Sequence, residues 1–457
     1  MPAALLGTNY DKRGRLPPVR VVNRYAEAVQ TNQVTGVALF PRPGLALEAT
    51  VGAGAVRGVY RRSGLFSGDR FAVSGTVLYR NATSVGTGIT GTDRIRWAGS
   101  DVGSDHLFFV ANGVLYLYDG ATTAAVTVPS SGVATDVTEI NGYIIVQIEG
   151  SGLRYFIEPG DTTINALRAF TAESSPDSSV ATIASGSELY LFDEQTTEVW
   201  LPTGLADAPF QRVEGRTFQR GATARDTVLE FDNTIFFVGE DSEQGRVIYR
   251  IGDVPERVST PSIEEKLASI SDDMSAVAFI INGHPFYIVN SVNGSFALDV
   301  STGLLSEWQS YGRDNWRAHV AVAAPGFPVL LGDDTTGDLY TLDIDRGNDN
   351  DEPIIRIVGG GVPLINRQSF DSLSLVCTTG TTTDLTADPV IRVRFSRDGG
   401  ETWNDEIQRS IGRTGQYGKR VVWTRLGQFK PPGMLFELID SDDVQMTISY
   451  ALVNEPY

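Results

Sequence analysis

A small turn residue followed by a short aromatic strand recurs seven times along this chain, and that self-similarity constrains the fold more than any other feature. The copies are Gly75-Thr-Val-Leu-Tyr79, Gly113-Val-Leu-Tyr-Leu-Tyr118, Gly142-Tyr-Ile-Ile-Val146, Gly186-Ser-Glu-Leu-Tyr-Leu-Phe192, Asn233-Thr-Ile-Phe-Phe237, Gly283-His-Pro-Phe-Tyr-Ile-Val289 and Gly337-Asp-Leu-Tyr-Thr-Leu342. They stand roughly 30 to 55 positions apart, and a period of about 40 to 50 residues is the mark of propeller blades. Each blade is a small antiparallel sheet that buries its faces against its neighbours, so one copy cannot stand alone. Most copies are followed by a second strand, as in Gly294-Ser-Phe-Ala-Leu-Asp299. The expected fold is all-β: a propeller of six or seven loose blades over residues 51–358, then a C-terminal β-sandwich-like domain over 365–457. Residues 1–50 are expected to be a basic segment leading into the propeller.

The punctuation supports this division. The 48 glycines fall between runs of Val, Ile, Leu, Tyr and Phe. Gly359-Gly360-Gly361-Val362-Pro363 reads as a linker, and beyond it strands are expected at 370–376, 390–395, 419–425, 435–439 and 445–453. Only a few segments read as helical, chiefly Ser262-Ile-Glu-Glu-Lys-Leu-Ala-Ser269, with Ser262 and Glu265 at capping-box spacing. Gly52-Ala-Gly-Ala-Val-Arg-Gly58 lacks the GK[ST] ending of a phosphate loop and reads as a turn. No run approaches the roughly 18 apolar residues of a spanning helix, so membrane insertion is not expected. Residues 1–14 have no basic residue ahead of the short apolar patch 3–6, so a chain folded in a cytosol is expected.

Composition removes most chemistry. The lone cysteine, Cys377, excludes an intramolecular disulfide or a multi-cysteine metal site, and it alternates with Leu373 and Leu375 as a strand hydrophobe would. His106, His284 and His319 are the three histidines, with no HxxxH or HxH spacing. Nothing in the spacing assembles a Ser/His/Asp set, and no cofactor is expected. Asp343, Asp345, Asp349 and Asp351 form a weak metal candidate, because alternating carboxylates can wrap a hard cation, yet the glycine and glutamate positions of an EF-hand loop are missing. Eight acids lie between Asp333 and Glu352 against Arg346 alone, so this stretch is expected to face water, a cation or a charged channel.

Ser396-Arg-Asp398-Gly-Gly400-Glu-Thr402-Trp403 fits the SxDxGxTW pattern of an Asp-box, a hairpin in which Asp and Ser bond turn amides while Trp packs beneath. It occurs once, outside the expected propeller, and reads as a structural turn. It nevertheless admits an alternative function, a carbohydrate-binding or carbohydrate-active propeller with Trp97, Trp200, Trp308 and Trp316 as sugar platforms, although no local motif selects the two carboxylates that glycoside hydrolysis needs.

The net charge is −19, which opposes general attraction to nucleic acid. Residues 1–70 carry ten basic against four acidic side chains, a net +6, which leaves −25 on the remainder. Arg57, Arg61 and Arg62 are therefore expected to form a partner-contact face.

Several segments in order resemble the packaged-DNA stabilisation, or tail hub and nozzle, proteins of short-tailed bacteriophages. They are Val22-Asn23-Arg-Tyr25-Ala-Glu27, Arg42-Pro43-Gly44-Leu45, Arg57-Gly58-Val-Tyr60, Val73-Ser-Gly75-Thr-Val-Leu78-Tyr79, Ala172-Glu173-Ser-Ser-Pro176-Asp177, Thr197-Glu198-Val-Trp200-Leu-Pro-Thr203-Gly204, Ser262-Ile263-Glu264-Glu-Lys266-Leu267, Gly283-His284-Pro-Phe-Tyr287 with Trp308, the Asp-box, and Lys419-Arg420-Val421-Val-Trp423-Thr-Arg425-Leu426-Gly427. The resemblance implies a non-enzymatic virion protein, made in the host bacterial cytoplasm and placed in the virion tail. It implies a homo-oligomeric ring, a hexamer, below the portal and head-tail adaptor, with surfaces for tail fibres, tailspikes or needle, holding packaged DNA in and later conducting it out. An acidic conduit wall that repels phosphates is compatible with DNA passing without sequence-specific binding.

Overall fold

A computed structural model describes residues 2–3, 20–31, 34–172, 177–205, 208–241, 243, 245–382 and 384–454. Lys12, Arg13 and Arg15 of the basic segment, and 173–176 of the resemblance, lie outside the described residues.

Alternating apolar residues and glycine or Asn turns produce seven four-stranded antiparallel blades among the described residues. Blade 1 holds Val56–Tyr60, Phe71–Ser74, Val77–Arg80 and Thr83–Thr87; blades 2 to 5 follow over 96–125, 134–171, 179–218 and 229–257. Blade 6 is built from Ser275–Ile281, His284–Ser291, Gly294–Asp299 and Leu304–Glu307. Blade 7 takes Ala318–Val322, Leu330–Asp333 and Asp338–Asp343 from the end of the propeller, and Gly44–Thr50 from its beginning. That last pairing, Leu342 with Leu45 and Thr341 with Ala46, closes the ring.

Every recurring unit supplies one blade strand. The units fall on the third strand in blades 1, 2 and 7 and on the second in blades 3 to 6. The turn before the strand demands left-handed backbone, met by Gly75, Gly113, Gly142, Gly186 and Gly283 and by Asn233. Blades then pack through their apolar faces: Phe108, Val110 and Leu115 of blade 2 share a core with Val137, Ile144 and Val146 of blade 3. Phe192 of blade 4 meets Phe237 of blade 5 at 5.0 Å between rings, and Phe236 stacks on Tyr287 of blade 6.

The sandwich is not an appended bead. Arg24–Thr31, Val34–Pro41, Ile448–Val453, Gln368–Cys377 and Val421–Phe429 form one of its sheets, so the chain begins in the sandwich, leaves to build the propeller and returns. The other sheet is continuous with blade 6. From Leu304–Glu307 it runs through Val21–Val22 to Arg356–Pro363, Gly433–Asp440, Val390–Ser396 and Ile407–Ser410, nine strands in all. The glycine run 359–361 is therefore a paired strand and not a linker. Glycine is needed there because a Cβ on Gly360 would stand 2.3 Å from the Phe436 ring, and one on Gly361 would stand 2.8 Å from Leu435.

The helix is Pro261–Leu267, packed by Ile263 and Leu267 between blades 5 and 6. Its N-cap is Thr260, not Ser262: Pro261 takes the first helical position, and the Ser262 hydroxyl shares a bond with Thr260 Oγ1.

Candidate functional site

The Asp-box forms the hairpin after strand Val390–Ser396 in the sandwich. The Gly400 amide donates to Ser396 Oγ at 2.8 Å, the Thr402 amide donates to Asp398 Oδ1 at 3.0 Å, and Trp403 Nε1 donates to the Gly400 carbonyl at 3.1 Å. The Thr402 hydroxyl and amide and the Ser396 hydroxyl hold the Asp398 carboxyl down to about 2. The side chains of Ser396, Asp398, Thr402 and Trp403 are all used to build the turn, and Arg394 lies over the Trp403 ring while pairing with Glu437.

Much of the acidic stretch is answered by arginines, most of them outside it, so it does not simply face water, a cation or a channel. Arg317 bridges Asp333 and Glu352, Arg313 meets Asp334, and Arg346 meets Asp351 at 2.7 Å. Burial acts to raise the Asp333 pKa, but the amides of Thr336 and Thr335 and the Arg317 charge outweigh it and hold the carboxyl below its ordinary value. Asp349 is fully buried and grips Arg42 with both oxygens, at 2.9 and 2.6 Å. Asp343 accepts the Asp345 amide. Among the described residues no three His, Cys, Asp or Glu side chains converge as a metal set.

Arg42 belongs to a buried joint between propeller and sandwich. Its guanidinium also bonds Asn23 and the Pro43 and Gln309 carbonyls and lies 5.8 Å from the rings of both Trp308 and Trp316. Arg24 and Arg356, likewise without exposure, share Asp440: Arg24 Nη2 donates to Oδ1 at 2.6 Å and Arg356 Nη1 to Oδ2 at 3.1 Å. Three buried cations thus meet two buried carboxylates, with backbone carbonyls of 39, 347, 442 and 446 accepting further Nη hydrogens, while the Nε–H groups of Arg24 and Arg356 are buried without an acceptor among the described residues.

The three arginines expected on a partner face have different fates. Arg57 is buried, not exposed: it bonds Asp93 and the carbonyls of Gly75, Ile89 and Thr90, bracing blade 1. Arg61 bonds the Gly68 carbonyl and stacks 3.5 Å from the Phe327 ring centre of blade 7. Arg62, partly exposed, meets Asp101 and Glu139.

Arg62 opens onto the propeller axis, where the innermost strands of all seven blades enclose a cavity of about 540 Å³. Guanidinium groups cross it. Arg96 of blade 2 pairs with Asp136 of blade 3 at 2.8 Å and reaches the Val228 carbonyl of blade 5. Arg225, before blade 5, holds Asp226 and returns bonds to the Thr135 and Arg94 carbonyls. Arg94 bonds His319 of blade 7, and burial together with Arg94 and Arg313 pushes the His319 pKa down to about 3. An arginine side chain spans the axis, so the channel is closed to anything as wide as a nucleic-acid duplex.

The remaining sequence candidates are structural or incomplete. Trp308 and Trp316 are wholly buried and cannot be sugar platforms; Trp200 donates to the buried Glu198, and Trp97 packs against Phe109. Burial pushes the Cys377 thiol up to about 11, away from a nucleophile. Ser301, His284 and Asp299 do meet, which sequence spacing did not disclose, but Asp299 and Ser301 both bond Nδ1, at 2.7 and 3.2 Å. Nε2 faces Glu27 at 3.7 Å, so among the described residues no serine stands where a catalytic base would take its proton.

Two family models match consecutive parts of the chain: residues 5–346 match "Bacteriophage P22 Gp10, beta-propeller" and residues 364–454 match "Bacteriophage P22 Gp10, beta-sandwich". No curated protein matches it. Solved structures similar to it include the extracellular domain of a one component system from B. thetaiotaomicron, at 13% identity and TM-score 0.41, over 81% of this chain and 47% of that one. A hybrid two component system domain from the same organism follows at 8% and 0.45, over 92% and 60%. YCF48 from Cyanidioschyzon merolae stands at 11% and 0.40, over 65% and 98%. The chain spans about half the length of the first of these.

Proposed function

From the premise that the chain belongs to the bacteriophage P22 Gp10 family, we propose that it is a non-enzymatic structural protein of a phage tail. It assembles as a homo-hexameric ring below the portal and head-tail adaptor, retains packaged DNA, forms the conduit for its ejection and offers surfaces to tail fibres, tailspikes or needle. The observation that carries this reading is the match of both parts of the chain, in order, to the two parts of one family.

The geometry supports three parts of it. Because arginines close the propeller axis, a conduit in this protein has to lie between subunits, which calls for a ring. A tail part under internal DNA pressure has to be stiff, and a nine-stranded sheet runs unbroken from blade 6 into the sandwich over a buried ionic joint. The net −25 beyond residue 70 disfavours adhesion of passing DNA. The test is genetic: particles made without this chain package DNA and then lose it, and supplying the chain restores retention. Full retention in its absence removes the proposed role.

A further inference from the structure

The axial cavity offers more than a seal. The cavity is about 540 Å³ over both sides of the arginine crossing, and apolar side chains of four blades, Tyr60, Ile183, Ala184, Leu229 and Val322, line it. Its ionic groups are answered, with one exception on this side of the arginine crossing. Arg62 is paired with Asp101 and Glu139, and Arg96 with Asp136. Glu230 stands exposed at the mouth of the same cavity and, among the described residues, has neither a hydrogen-bond donor nor an ion-pair partner, so its carboxylate is open to an incoming cation. Partial desolvation, and then the like charge of Asp232, raise its pKa. Arg94 does not answer it: its guanidinium is bonded to His319, and the charge acting on Glu230 is that of Asp232.

We propose that this well binds an alkylammonium group, its charge on the Glu230 carboxylate and its methylene stem along Tyr60, Ile183, Leu229 and Val322. The chemistry is shared by free polyamines and by a lysine side chain of a partner protein. A stem of several methylenes uses the apolar wall, and a bare inorganic cation does not. The site is separate from the inter-subunit conduit and stands whether or not the chain is a tail protein.

The full chain at low ionic strength is titrated calorimetrically with spermidine, with N-acetyl-lysine methylamide and with ammonium chloride. Saturable one-site binding of spermidine or of the lysine derivative, and none of ammonium, is expected; whichever of the two binds at least tenfold tighter identifies the source. Glu230→Gln weakens binding at least tenfold while melting with the wild type, and Ala321→Phe, which fills the well and keeps Glu230, does the same. Glu149→Gln, a remote surface acid, changes nothing. Absence of saturable binding by either organic cation, or equal binding by Glu230→Gln, overturns the proposal.

Discussion

Replacing Asp440 by Asn removes the one carboxylate shared by two guanidinium groups that have no exposure to water. Arg24 and Arg356 keep their backbone acceptors, but their like charges then face each other in a medium of low dielectric. Breaking a buried pair from one side costs about 3–5 kcal/mol, so about 4 kcal/mol is expected here. The shift in Tm depends on how much of the chain unfolds together. At roughly 2.1 cal/mol/K per residue, the whole chain gives about 1 kcal/mol/K and a drop of about 4 °C, whereas a sandwich of about 120 residues melting alone gives a drop of about 15 °C. The continuous sheet between blade 6 and the sandwich predicts one unit and the smaller shift. Scanning calorimetry reads both the shift and the number of transitions. Asp272→Asn, at an exposed end of the Arg246 pair, serves as the control and leaves Tm unchanged. The triple change Arg24→Met, Arg356→Met, Asp440→Leu recovers most of the loss, because it removes the charges as well as their partner. An Asp440→Asn protein that melts with the wild type refutes the assignment of the joint as a stabilising buried network.

Three further outcomes follow from the same geometry. His319 is held neutral, so unfolding takes up a proton between pH about 6.5 and about 3; its contribution is complete above about 6.5 and is lost as pH falls toward 3, by up to about 5 kcal/mol. His319→Gln flattens the acid limb of a Tm-against-pH curve; Asp193, its carboxyl pushed up to about 6 by burial, acts in the opposite sense between about 4 and 6 in both proteins and cancels from their difference. Arg225→Met strips the bonds to the Thr135 and Arg94 carbonyls and leaves Asp226 unpaired, costing about 2–3 kcal/mol by denaturant unfolding. A fragment of residues 364–457 lacks Arg24–Thr31, Val34–Pro41 and Arg356–Pro363, and its amide NMR spectrum is expected to be poorly dispersed, whereas residues 20–454 fold.

The blades were legible because each needs an apolar, aromatic strand behind a tight left-handed turn, and that requirement leaves a local mark such as Gly113 to Tyr118. Their strand register was not, since either of two interior strands can carry the mark. Blade closure by Gly44–Thr50 joins residues some 290 apart, and nothing local encodes it. The linker reading failed at Gly359 to Gly361 because missing side chains usually signal a turn; here the space is filled by Phe436 and Leu435 from the neighbouring strand. Charge was the poorest guide. Arg24, Arg42, Arg57 and Arg356 count as surface in any composition argument, yet each is buried on acids or carbonyls distant in sequence, and Asp333, Asp334, Asp349 and Glu352 find their arginines in the same way. The Asp-box was legible because the bonds of Ser396, Asp398, Thr402 and Trp403 are local.

The central claim, a ring-forming tail protein with its lumen between subunits, is tested most directly by cryo-electron microscopy of the purified chain mixed with a portal and adaptor complex. The account predicts a closed ring of six copies at the adaptor's distal end, propellers intact, with density along each propeller axis closed and an open passage at the symmetry axis. Persistent failure to join the complex, or a duplex path running through individual propellers, contradicts it.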